Sequence, residues 1–379
     1  MSHPYRGLPD HHFWNRAVTW VPPAGVDPVV AAPYTIGTDD PVATMGSCFA
    51  QHLARHLQRS GLDYFVAEAP PDGMSPADAE VRQYGLFSAR YGNVYTVAQA
   101  VQLFRRAYGD LVPAEGPWRR DDGALVDPFR PLVEPDGFAD AGALAASREV
   151  HLAATRRVFE ECSVFVFTLG LTEAWRSTAD GTVLAAAPGA AGDPVDPTGY
   201  EFVNFGVDEV RAGLVELVDL VRSVNPDVRV LLTVSPVPLI ATYEPRHVLV
   251  STVASKSVLR VAADEAARLD GVDYFPSYEI IASATADRDY FEPDRREVSP
   301  KGVAHVMRCF GRHFIHGGDD PDATTAPPPP PPSQSRYVVC DEEVILGAID
   351  PVQRARAEAL TGPGAPEAGP RGDRPPLDA

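Results

Sequence analysis

The chain is poor in the residues that build cross-linked or metal-held scaffolds. It has four cysteines in 379 residues, Cys48, Cys162, Cys309 and Cys340. They are too few and too scattered for a disulfide framework or a zinc site. No apolar run approaches the roughly 20 residues that span a bilayer. The opening stretch Met1-Ser2-His3-Pro4-Tyr5-Arg6-Gly7 lacks the apolar core of a secretion signal. Positive charge is short, with 33 Lys and Arg against 52 Asp and Glu, for a net charge of −19. Nucleic acid and anionic membrane surfaces are therefore not expected as partners. Internal repeats and long runs of like charge are missing too. Together these absences point to a cytoplasmic, reducing setting with free thiols and no membrane insertion.

What is present is a globular pattern, with 45% hydrophobic residues. Short apolar runs at 41–44, 62–67, 164–168, 228–234 and 272–275 alternate with helical periodicity at 51–60, 96–108, 147–162, 207–224, 251–269 and 299–316. Val164-Phe165-Val166-Phe167-Thr168 reads as a parallel strand buried on both faces. The alternation predicts a three-layer α/β/α sandwich around a five-stranded parallel sheet. Residues 1–40 read as an arm packed on the domain, with Trp14 and Trp20 as anchors. The domain proper spans 41–317. Within it, 69–145 reads as a long, lid-like insertion and 181–206 as irregular. Six prolines mark a linker over 318–335, and 336–379 reads as a mostly disordered tail with a short amphipathic segment at 336–346.

The chemistry concentrates at Met45-Gly46-Ser47-Cys48-Phe49-Ala50, between the first strand and the first helix. Gly46 permits a sharp turn. Cys48 sits where a helix N-terminus favours a thiolate or an oxyanion, and Ser47 stands beside it as a second nucleophile. His52 and His56 follow Cys48 at helical spacing, but no acidic or second cysteine ligand completes a metal set. Gly170-Leu171-Thr172-Glu173-Ala174-Trp175 follows the third strand and offers Thr172 as an oxyanion donor. Tyr91-Gly92-Asn93-Val94-Tyr95 offers the Gly92 N–H and the Asn93 side chain. His247, Asp294 and His305 supply base and acid candidates, and Tyr278 and Glu279 close the fifth strand.

In their order, Gly46 to Ala50, Gly170 to Trp175, Ser235-Pro236-Val237 with Ser255-Lys256, and Tyr274-Phe275-Pro276-Ser277-Tyr278-Glu279 resemble the GSCFA-domain family over roughly 40–315. That family looks like a branch of the SGNH/GDSL hydrolases. The resemblance implies a flavodoxin-like fold and ester hydrolysis or acyl transfer. It puts Cys48 at the nucleophile position, with Ser47 one residue off, Gly92 as the second-block glycine, and Gly170 and Thr172 in the third block, with Thr in place of Asn. The superfamily's closing pair is an Asp with a His three residues on; here Asp294 is followed by Glu297. Either His305 or His247 then acts as base, or the triad is not assembled.

The expectation is an O-acyltransferase or esterase acting on a hydroxylated small molecule or glycan. It needs no resident cofactor, and acyl-CoA or an acyl carrier is the candidate acyl donor. The other reading is a catalytically degenerate module that recruits a protein partner through the C-terminal tail.

Overall fold

The computed structural model describes residues 3–194 and 198–317. The expected linker, tail and 336–346 segment, and Cys340, lie outside the described residues. After the arm, the chain runs β1 (Val42–Gly46), α1 (Ala50–Arg59), α2 (Pro76–Val81), α3 (Val97–Tyr108), β2 (Trp118–Arg119) and β3 (Leu125–Val126). Next come α4 (Ala141–Glu161), β4 (Val164–Leu169), β5 (Glu173–Ser177), β6 (Tyr200–Asn204), α5 (Val207–Val224) and β7 (Arg229–Val234). The domain closes with α6 (Val248–Ala266), β8 (Val272–Phe275), α7 (Ser277–Ala282) and α8 (Pro300–Phe314). Among these helices, none is long and apolar enough to cross a membrane.

Local chemistry sets several ends. Thr96 accepts from the Gln99 N–H while Gln99 reaches back to the Thr96 N–H, a reciprocal cap at the start of α3. Gly109, with φ 81°, closes that helix in the left-handed region. Ser299 caps α8, whose first residue is Pro300.

Four strands, in the order β1-β4-β7-β8, form one parallel sheet. Its register pairs Gly46 with Thr168 and Thr168 with Thr233. Strand alternation sends Ala43, Met45, Phe165, Phe167, Val230 and Leu232 into one buried cluster with residues of α3 to α6. Val42, Val164, Val166 and Leu231 enter a second cluster with Phe49 ahead of α1, Leu53 and Leu57 of α1, and Phe310 and Phe314 of α8. Each fully buried Leu or Phe contributes about 1.5–3 kcal/mol, so both faces of the sheet hold the fold.

The structure departs from the sequence reading in four places. The expected strand at 62–67 shrinks to a single bridge, Tyr64 to Val42. The ladder stops because the next donor on β1, the Thr44 N–H, is taken by the Ser88 hydroxyl at 2.9 Å. The stretch 181–206 contains β6, which pairs antiparallel with β5 in a hairpin. The insertion 69–145 holds more than the expected helix at 96–108: it also carries α2, β2 and β3, and its Trp118, Val126 and Phe129 bury together with Leu184. Finally, Trp14 and Trp20 do not anchor the arm, since they are 67% and 69% exposed. The arm is held by buried Ile36, which bridges Ile315, and by Asp27, which accepts from Arg312 at 3.0 Å and His313 at 2.8 Å.

Candidate active site

Three chain segments converge at the carboxyl end of β1, where open parallel sheets place their sites. Gly46 has φ 137°, and a Cβ there would lie 2.3 Å from the Thr168 carbonyl oxygen. Only glycine allows β1 to run this close to β4 and still turn. The Ser47 N–H donates to Thr168 O at 3.0 Å, and the Val94 N–H donates to Gly46 O at 2.8 Å. Gly170 is hemmed in as well: a Cβ would meet Ser47 Cβ at 3.0 Å and Tyr95 Cα at 3.1 Å. The N–H groups of Gly170 and Leu171 both donate to Tyr95 O, at 3.0 and 3.2 Å.

A small, partly open cavity lies at this junction. Ser47, Cys48, Tyr95, Gly170, Ser235 and Lys256 are among its walls. Ser47 is buried, and its hydroxyl has no hydrogen-bond partner. Lys256 is 1% exposed and donates from Nζ to Gly170 O at 2.5 Å. Burying an ammonium is costly unless it is hydrogen-bonded, and the Gly170 carbonyl accepts one such bond. Burial pushes the other two described thiols, Cys162 and Cys309, up to about 12, so neither competes as a nucleophile near neutral pH.

Of the residues singled out from sequence, Ser47, Cys48 and Gly170 meet in this cavity, with Gly46 shaping its floor. The others lie elsewhere. Thr172 is spoken for: its N–H donates to the Ser255 hydroxyl at 3.0 Å and its hydroxyl to Asn204 at 2.7 Å. Glu173 accepts from the Thr242 hydroxyl and the Tyr243 N–H, pinning the loop before α6. Asn93 accepts from Gln51 and faces a different cavity. Gly92, with φ 68°, supplies the left-handed turn ahead of it. Glu279 is held by Arg260 at 2.5 Å and the Tyr274 hydroxyl at 2.8 Å, while Tyr278 packs half-buried beside the larger core.

The base candidates are likewise committed. His305 donates from Nε2 to Val26 O at 2.9 Å, and Nδ1 accepts from the Tyr290 hydroxyl at 2.6 Å. Nε2 thus ties α8 to the arm and Nδ1 ties it to the turn at 288–290. His247 is exposed and caps α6 by accepting the Leu249 N–H at 3.1 Å. His52 lies against Phe49 rather than in the cavity, and burial with nearby Arg55 lowers it to about 3. Asp294 occupies an exposed turn and accepts from the N–H groups of Arg296 and Glu297, at 2.9 and 3.1 Å. The turn reaches the cavity rim through Arg296, which donates to Pro238 O at 3.3 Å.

Lys256 enters the sequence reading only within the Ser255-Lys256 motif, with no site role assigned to it. A signal was there: on α6 the buried stripe is Ser255, Leu259, Ala262, Ala263 and Ala266, and Lys256 lies on it. A lysine on the core face of a helix marks a polar destination.

The architecture is thus a parallel α/β domain with Ser47 and Cys48 on the turn that follows its first strand. Residues 41–310 match the GSCFA family, and the chain belongs to it. Among curated proteins, none matches. Two solved structures are similar in outline. An acetyl esterase mutant with acetate ion aligns at 10% identity and TM-score 0.32, over 72% of this chain and 92% of its own. A carbohydrate esterase family 3 protein from Talaromyces cellulolyticus aligns at 10% identity and TM-score 0.33, over 73% of this chain and 95% of its own.

Proposed function

We propose that the chain is an acyl-ester enzyme of SGNH type. In this reading the sheet has flavodoxin-like order, with the 62–67 segment as its vestigial outer strand. The observation that carries the activity is the shared cavity of Ser47, Cys48 and Lys256 at the carboxyl end of β1. Cys48 is the nucleophile. Lys256, as the amine, accepts the Sγ proton while sulfur attacks the acyl carbonyl. Collapse of the tetrahedral adduct expels the alcohol or thiol, which regains that proton from Lys256. The thioester then passes its acyl group to a hydroxyl of a small molecule or glycan, or to water. Lysine thus fills the base role that a histidine holds in the family pattern, where Glu297 stands here. Acyl-CoA or an acyl carrier is the donor, and transfer is favoured over hydrolysis because thioesters pass readily to hydroxyls.

The test is to mix the purified protein with p-nitrophenyl acetate and with acetyl-CoA and follow intact mass. An acetyl adduct lost in Cys48→Ala and kept in Ser47→Ala is expected. The reverse pattern makes Ser47 the nucleophile, and no adduct with either donor overturns the proposal.

One observation favours a second reading, a binding module without turnover: His305 and His247 are both committed elsewhere. Iodoacetamide discriminates. Rapid modification of Cys48 near neutral pH supports the enzyme, and ordinary thiol reactivity supports the module.

A further inference from the structure

A second, small cavity lies where the 69–145 insertion meets α4 and the 181–206 stretch. Arg106 of α3, Arg130 from the loop after β3, and His151 of α4 line it. They are 7%, 2% and 0% exposed. Arg130 gives Nε to Asp127 at 3.0 Å and Nη2 to the Ser147 hydroxyl at 3.2 Å, and its Nη1 is buried with no partner. Arg106 lies over the Phe129 ring at 3.9 Å and forms no ion pair among the described residues. His151 donates from Nδ1 to Glu68 at 2.9 Å, and its Nε2 is buried without a partner.

The charges do not balance. Arg148 also pairs with Asp127, at 2.8 Å, so Arg106, Arg130 and Arg148 share that carboxylate, with Glu68 a further counter-charge to Arg130, and positive charge is left over. The neighbouring Glu68 and Glu134 are occupied by Arg82, Arg90 and His151. Burial alone would raise the Asp127 carboxyl, but Arg130 and Arg148 hold it well below the usual carboxylate range. Burial also draws Arg106 down to about 10, against the pull of Asp127. Buried positive charge in excess is costly unless a counter-charge arrives.

We propose that this chamber binds a small oxyanion, a carboxylate or phosphate group clamped by Arg106 and Arg130. A hydroxyl on the same ligand donates to His151 Nε2. Guanidinium forks match planar and tetrahedral oxyanions, and Phe129 fixes the plane of Arg106. Gln99 and Gln102 line the chamber without competing, because their amides are bonded to the backbone of Leu184 and Val183. The site does not depend on the acyl chemistry proposed above.

The test uses the full chain and titration calorimetry with sodium glycolate, acetate and phosphate, with sodium chloride at matched ionic strength. Saturable one-to-one binding of glycolate, phosphate or both is expected, with acetate weaker and chloride silent. The glycolate and phosphate arms tell a carboxylate ligand from a phosphate one. Arg106→Gln should weaken binding at least tenfold. Arg105→Gln, the neighbour paired with Glu216 on the surface, should leave it unchanged. Wild-type protein that binds none of the three oxyanions overturns the proposal, as does equal binding by Arg106→Gln. Acetate binding as tightly as glycolate overturns the role given to His151.

Discussion

Lys256 Nζ donates to the carbonyl oxygen of Gly170 across 2.5 Å, tying α6 to the loop that leaves β4. The bond fixes the amine on the wall that Ser47 and Cys48 share.

Replacing this lysine should separate chemistry from stability. Lys256→Met is expected to slow acetyl-adduct formation by about 100-fold or more, the scale of a general base. It should cost only about 1–3 kcal/mol of stability, from the carbonyl left without a donor. An intact-mass time course beside urea unfolding checks both. Unchanged acylation would remove Lys256 from the reaction.

Gly46→Ala should fail in the fold itself. The added Cβ would sit 2.3 Å from Thr168 O, at a φ of 137° that side chains avoid. A loss of at least about 3 kcal/mol is expected, read as a fall in the urea midpoint. A near-neutral result would mean that β1 and β4 can part at their carboxyl ends.

His305→Ala should behave oppositely to a catalytic base. It removes the ties to Val26 and Tyr290, so a loss of about 2–4 kcal/mol is expected. Acetyl-adduct formation, measured well below the melting temperature, should be unchanged. A hundredfold slower reaction with a normal melt would restore His305 as the base.

Acid should destabilise the fold earlier than carboxylates alone would. Burial lowers His151 to about 4, with Arg130 adding to the effect, and burial with Arg59 lowers His56 to about 4. The folded pKa lies below the unfolded one of about 6.5. The unfolded chain therefore binds protons that the folded chain refuses. Stability is full above about pH 6.5 and is lost as pH falls toward 4. For His151 alone the loss at pH 5 is about 2 kcal/mol. Urea unfolding at pH 7.5 and 5.0 measures it, and His151→Gln should flatten the slope by about one proton.

The sheet was legible because its strands are continuous apolar runs. Val164 to Thr168 and Arg229 to Val234 are buried on both faces, which admits almost no other reading. The helix starts at Thr96 and Ser299 were legible because capping is local chemistry. The outer strand at 62–67 misled because its fate depends on Ser88, more than twenty residues away, taking the Thr44 N–H. Trp14 and Trp20 misled because aromatic content says nothing of which surface is left to cover. At the site, the turn at Gly46 to Cys48 was readable, whereas Lys256 depends on how α6 is rotated against β4. The arginine chamber was invisible, since Arg106, Arg130 and His151 come from three elements that meet only in the folded chain.

The bridge between Ile36 and Ile315 gives the molecule polarity. The arm's Thr35 carbonyl accepts from Arg229 at the first residue of β7, so this closure lies at the amino ends of the strands. The cavity of Ser47 and Cys48 opens at the carboxyl ends. Entry to and exit from the domain therefore share one pole while the turn of Ser47 and Cys48 faces the other. A surface or carrier tethered near residue 317 would hold the protein with its mouth pointing outward.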